Sequence, residues 1–188
     1  MDLYSLNDIF TKSIFRIPDY QRGYAWQEIQ YKELWEDLVN LEEGKKHYTG
    51  MLTLQKLPRE SFNKNTVEHW LLNDHGYNIY HVVDGQQRLT TNIIIIQAMI
   101  NVLTDKLSGT VDEIYMESLS IKDIIKQYIM LDKKPEKIVK TYLFGYSEDN
   151  PSYLYMKHRI FKEPGDGTIE ETFYTLNMQN ALTFYHKQ

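Results

Sequence analysis

Ile79-Tyr80-His81-Val82-Val83-Asp84-Gly85-Gln86-Gln87-Arg88-Leu89-Thr90-Thr91 joins two apolar stretches of opposite character through one glycine turn. Ile79 to Val83 shows no clean polar/apolar alternation, which predicts a short strand buried on both faces. After the turn, Leu89, Ile93, Ile96, Ile100, Leu103 and Leu107 recur at helical spacing over about five turns, so a long helix is expected with its middle turns in the core. A helix that starts at such a turn offers free N–H groups and about half a positive charge, which suits an anion such as phosphate. Arg88 is placed for a bidentate contact, and Thr90 or Thr91 for a hydroxyl contact. Gln86 and Gln87 carry donor and acceptor alike, so either suits a water held in line with phosphorus, or a base edge. Asp84 suits Mg²⁺ or a proton. The plainer alternative has Asp84 capping the helix, Gly85 making the turn and Arg88 pairing with a surface acid.

Towards the N-terminus, Ser5 precedes a short helical stretch to Phe10, and Ser13 to Ile17 reads as a strand ended by Pro18. The following loop, to Gln27, sets Tyr20, Tyr24 and Trp26 around Gln21-Arg22. Aromatic side chains on an ordered loop either stack a base or anchor the loop to the core, while Arg22 reaches phosphate or an acid. Tyr31, Leu34, Trp35, Leu38 and Leu41 predict an amphipathic helix from 28 to 43, closed by Gly44. Tyr48 to Leu54 is β-rich and reads as a strand with close backbone approach or a bulge at Gly50, and 58–78 reads as a polar loop or excursion.

Beyond Ser108-Gly109 the pattern changes to lysine-rich helical pieces from Asp112 to Met130, then a strand or helix from Ile138 to Phe144. Asn150-Pro151 reads as the start of a helix to Phe161, and Thr168-Ile169-Glu170-Glu171 as a capping box for a last helix. That helix keeps its apolar periodicity at Leu176, Ala181, Leu182 and Tyr185 up to the end, which predicts the front part of a longer protein. The expected organisation is residues 1–107 as one α+β domain and 108–188 as a helical extension.

The 188 residues contain no cysteine, which removes thiol nucleophiles, Cys-ligated zinc and disulfides together. The net charge of −5 is spread evenly, with 10 basic and 13 acidic residues in 1–94 and 11 and 13 in 95–188. That argues against a broad basic face for duplex DNA and leaves room for a local basic site. Arginine is outnumbered 16 to 5 by lysine, yet two of the five arginines lie in the two loops described, which favours planar recognition there. The longest aliphatic run, Ile93 to Ile96, is too short to span a bilayer, and the N-terminus lacks an export signal, so a cytoplasmic protein with no membrane contact is expected. Zinc-hydrolase, serine-hydrolase and P-loop signatures do not occur. His81 reads as a packing residue, Lys133-Lys134-Pro135 as part of a solvated face, and Gly165-Asp166-Gly167 as a turn.

Ile17-Pro18-x-Tyr20-Gln21-Arg22-x-Tyr24-x-Trp26, then Tyr48-Thr49-Gly50-Met51-Leu52-Thr53-Leu54, then Asp84-Gly85-Gln86-Gln87-Arg88-Leu89-Thr90-Thr91, in this order, resemble the N-terminal domain of the GmrSD family. The likeness continues more weakly through Tyr142 to Tyr146 and Asp149 to Tyr153. It implies a ParB/sulfiredoxin-like α+β fold, a small mixed sheet with packed helices, in type IV, modification-dependent restriction and related anti-phage systems. It further implies nucleoside-triphosphate binding with Mg²⁺, hydrolysis being left open, that regulates an HNH-type nuclease in another domain or subunit. On this likeness Gln21 and Arg22 hold one side of the nucleotide and Gly85 to Arg88 the phosphates, with Asp84, Gln86 and Gln87 as the catalytic candidates. None of the six histidines forms an HNH-like cluster, so DNA cleavage is expected outside these residues. The alternative is a non-catalytic module that recognises modified DNA in the same cleft.

Overall fold

The computed structural model describes residues 3–62, 64, 66–107, 112–116, 118–133, 139–165 and 168–188. Ser108-Gly109, where the sequence pattern changes, Asp166 and Gly167 of the expected turn, Lys134-Pro135 and Ile138 lie outside the described residues. The order is α1 (Leu6–Phe10), β1 (Ser13–Ile17), α2 (Glu28–Val39), β2 (Thr53–Lys56), α3 (His69–Asp74), β3 (Asn78–Asp84) and α4 (Gln86–Lys106). There follow β4 (Tyr115–Met116), β5 (Leu119–Ser120), α5 (Ile121–Ile124), β6 (Met130–Lys133), β7 (Val139–Tyr142), β8 (Phe144–Tyr146), α6 (Tyr153–Tyr155) and α7 (Phe173–His186). α5 and α6 each run on into a π-helical turn, Ile125–Ile129 and Met156–Ile160.

The architecture is mixed α+β, as the sequence predicts. A four-stranded sheet has the order β2-β3-β1-β8, and β4-β5 and β6-β7 form two small antiparallel pairs. β1 lies parallel to β3 on one side and parallel to β8 on the other, with Phe15 opposite both Tyr80 and Phe144. Its Ile14, Phe15 and Ile17 are fully buried, which accounts for the unbroken apolar character of the strand. Residues on both sides of 107 therefore build the same sheet. They share the helical layer too: α4 packs through Leu89, Ile93, Ile94 and Ala98 in a core to which α7 adds Met178, Ala181 and Tyr185. The Tyr185 hydroxyl donates to the Tyr31 carbonyl at 2.8 Å and ties α7 to α2.

Local signals explain most boundaries. Ser5 Oγ accepts from the Asp8 N–H at 3.1 Å and the Asp8 carboxylate accepts from the Ser5 N–H at 2.9 Å, a reciprocal cap; the Ser5 hydroxyl, which donates to the carboxylate at 2.6 Å, and then that N–H hold the Asp8 carboxyl below its ordinary pKa. α2 stops at Val39, short of the expected Glu43, because the Asn40 side chain donates back to the Glu36 carbonyl and the chain turns at Gly44, φ +77°. The stretch read as a loop contains α3, whose Trp70, Leu71 and Leu72 are buried. Trp70 Nε1 donates to Thr141 Oγ1 at 2.9 Å, and Arg16 joins Glu68 at 2.8 Å and the Tyr142 carbonyl at 3.0 Å, so α3 is held by β1 and β7. The region expected to be helical from Asp112 carries the β4-β5 hairpin before α5. The last helix begins at Phe173 with Thr172, not Thr168, as its cap: Thr172 Oγ1 accepts from the Thr175 N–H at 3.2 Å.

If β8 is part of one cooperative core, Phe144→Ala will destabilise the whole chain by about 3–5 kcal/mol. Chemical denaturation followed by circular dichroism and by tryptophan fluorescence should then report a single shifted transition by both signals.

Candidate functional site

β3 ends at Asp84 and α4 begins at Gln86, so Gly85 makes the whole turn, at φ +86° and ψ +6°. Only glycine adopts that left-handed geometry without strain. A Cβ there would also stand 2.9 Å from the Met51 carbonyl oxygen, because residues 51–52 lie across the turn. No side chain caps α4, and Asp84 is exposed rather than capping it. The first turn of a 21-residue helix thus follows directly on the carboxyl end of β3, where Val83 and Asp84 are exposed and only Ile79 and Val82 of the strand are buried, not both faces as the sequence suggested.

The aromatic loop meets this turn through a chain of carboxamides. Gln87, buried, accepts from the Ala25 N–H through Oε1 at 2.7 Å and donates from Nε2 to the Gly23 carbonyl at 3.1 Å. Gln21 Nε2 donates to the Val83 carbonyl at 3.0 Å, and Gln86 Nε2 donates to Gln21 Oε1 at 3.1 Å. From the other side, Asn150 Nδ2 donates to the Gln21 carbonyl at 2.8 Å and to the Pro18 carbonyl at 3.3 Å, and Ser152 Oγ accepts from the Tyr24 N–H at 2.9 Å. Gly23 is needed for this approach: a Cβ would meet Ser152 Oγ at 2.6 Å and Tyr174 Cγ at 2.7 Å.

The candidates divide by this arrangement. Gln21, Gly85, Gln86 and Gln87 come together in one network. Tyr24 is an anchor, fully buried, its hydroxyl sharing a 2.9 Å hydrogen bond with Thr91 Oγ1, and burial raises its pKa far above that of free tyrosine. Thr91 Oγ1 also donates to the Gln87 carbonyl, and Thr90 Oγ1 pairs with the buried Tyr146 hydroxyl at 3.0 Å, so both threonine hydroxyls face the core. Trp26 packs half-buried against the core, while Tyr20 stays 66% exposed. Arg22 is exposed, with neither an ion pair nor a hydrogen bond shown for it among the described residues. Arg88 lies over Gly50, whose Cβ would meet its Cζ at 2.8 Å, and Nη2 donates to the Met51 carbonyl at 2.9 Å. Of the close approach or bulge expected at Gly50, the structure shows the close approach, with φ +95° ahead of β2, while the β2 ladder shifts register between Thr53 and Leu54.

Asn150 and Ser152 support the loop, a part that sequence reading did not give them, since it took Asn150-Pro151 as a helix start. Their signal was present in the weaker motif Asp149 to Tyr153, but not their role on the loop. His81 is half-buried on β3, and burial lowers its pKa, opposed by the Asp19 carboxylate. Among the described residues no group of three histidine, aspartate or glutamate side chains is placed to hold a metal. Two open clefts, of about 670 and 520 Å³, lie beside the end of α2 and between α2 and α7, and neither is lined by residues 84–91.

With this geometry in view, comparison with known families places the chain. The family described as "GmrSD restriction endonuclease, N-terminal domain" matches residues 6–185, and the chain belongs to it. Membership associates the chain with restriction systems. No protein of curated function matches it. Among the described residues no helix is long and apolar enough to cross a membrane.

Gln87→Leu removes both ends of the clamp and should cost about 1–3 kcal/mol for each main-chain group left unpaired, measured by urea unfolding. His81 should titrate below the ordinary histidine value in an NMR pH series. Its contribution to stability is full above the unfolded pKa and declines as pH falls from there through the folded pKa, and Asp19→Asn should widen that window downward.

Proposed function

We propose that this chain binds a nucleoside triphosphate as its Mg²⁺ complex at the start of α4 and that occupancy regulates a restriction nuclease located in another domain or subunit. The observation that carries the reading is the uncapped α4 start at Gly85, flanked by the guanidinium of Arg88 and by a clamped loop that exposes Arg22. Main-chain N–H groups of the first turn would take phosphate oxygens. Arg88 uses one N–H on the Met51 carbonyl and keeps the rest of its planar donor set for the phosphates. Arg22 would add charge from the loop side.

A single exposed carboxylate at the turn fits Mg²⁺ that arrives with the nucleotide, since that ion is commonly held by one or two carboxylates plus phosphate oxygens and water. Asp84 would hold it, and the ion when bound would neutralise phosphate charge. Gln87 has both ends of its carboxamide on the loop backbone, so its part is to position the loop. Hydrolysis, if it accompanies binding, needs a water placed by Asp84 or Gln86. The second reading, recognition of modified DNA, draws support from Tyr20 and Tyr48, 66% and 60% exposed, which suit base stacking.

Calorimetric titration with ATP, GTP, CTP and UTP plus Mg²⁺ tests the proposal. Saturable binding of at least one triphosphate is expected. Arg88→Ala should weaken it by about 2–5 kcal/mol if the contact is desolvated, and Arg22→Ala should weaken it while leaving the melting temperature unchanged. No binding by the folded chain would overturn the proposal. DNA affinity that falls steeply with salt and ignores triphosphate would select the second reading.

A further inference from the structure

The carboxamide chain at the site has a fixed polarity. A main-chain carbonyl only accepts, so the Gln21 group bonded to the Val83 carbonyl must be its NH₂, and Gln21 Oε1 then faces Gln86. Gln86 must in turn present its own NH₂ to that oxygen. What is left over is therefore settled by the Val83 carbonyl two links away: it is Gln86 Oε1, an acceptor. Gln86 is 6% exposed, and this oxygen is buried with no hydrogen-bond partner among the described residues. A buried polar atom in that condition costs stability, and such atoms in folded proteins ask for a function.

Phosphate oxygens are acceptors as well and cannot satisfy it. The main-chain N–H groups of α4 and the two guanidinium groups already provide for phosphate. The carboxamide that carries this oxygen lies against the loop of Tyr20 and Gln21, to which its Nε2 is hydrogen-bonded. Resting on the nucleotide reading above, we propose that Gln86 Oε1 accepts a hydrogen bond from the nucleoside part of the ligand, a ribose hydroxyl or an exocyclic base amine, and so makes Gln86 a specificity-determining residue. The same rule explains why a glutamine serves here: its carboxamide can hold the loop through nitrogen while offering oxygen to the ligand.

The test is a binding panel on the full chain with the four ribonucleoside triphosphates, their 2′-deoxy and 3′-deoxy forms, and the triphosphates of purine riboside and inosine, which lack the amines of adenosine and guanosine. Wild type should lose at least about tenfold in affinity for one analogue, which identifies ribose or base as the source of the donor. Gln86→Met, which removes the oxygen, should bind that analogue and its parent alike. Gln86→Glu keeps an acceptor and should keep the preference at lower overall affinity; it serves also if Gln86→Met fails to fold. Equal affinity of wild type for every analogue overturns the inference while leaving the nucleotide reading intact, as does a preference that survives Gln86→Met. Absence of binding to any triphosphate overturns the nucleotide reading, and this inference with it.

Discussion

The carboxamide of Gln87 joins the two halves of the site. One end of it receives the Ala25 N–H and the other donates to the Gly23 carbonyl, so the aromatic loop is fixed in register to the first turn of α4. Because the group is buried, its bonds are strong and an alternative pairing with water is closed off. Everything else about the loop follows from that register. Tyr24 enters the core far enough to reach Thr91, Gly23 comes against Ser152 and Tyr174, and Gln21 meets Val83. The exposed side chains, Tyr20 and Arg22, are those left outside by the same geometry.

Much of this frame can be read from the chain. β1 and α4 were legible because their apolar residues are buried and say so without help from partners, whereas β3, expected to be buried on both faces, buries only Ile79 and Val82 and leaves Val83 and Asp84 exposed. Ser5 was legible because a capping box is a purely local bargain between residues three apart. The motif at residues 84–88 stood out as a candidate because polar residues lie between two apolar runs, and the family match agrees with the resemblance that its residues carried.

What escaped reading depends on partners far away in sequence. Trp70, Leu71 and Leu72 have no period of their own and are flanked by Asn, Asp and Gly, so α3 looked like a loop; its order comes from Thr141 and Arg16. β2 begins later than its composition suggests because Gly50 yields to the Arg88 guanidinium. Thr90 and Thr91 have hydroxyls suited to phosphate, but their positions one turn into α4 point them at tyrosines contributed by β8 and the loop. Asn150 reads locally as a helix start, and only the fold brings it under the carbonyls of Pro18 and Gln21.

The place of β1 between β3 and β8 also sets an order of events at the ribosome. β1 and the loop that follows it leave the tunnel early, yet one flank of that strand waits for residues 144–146 and the loop waits for Asn150 and Ser152. Contacts separated by more than a hundred residues form slowly, since closing so long a segment must precede any gain from it. During synthesis the motif and its helix can pair with β3 and β2 well before the loop is latched. The nascent chain thus holds the aromatic loop only through residues 83–91 until residues 144–152 emerge, and the loop acquires its full set of supports only then.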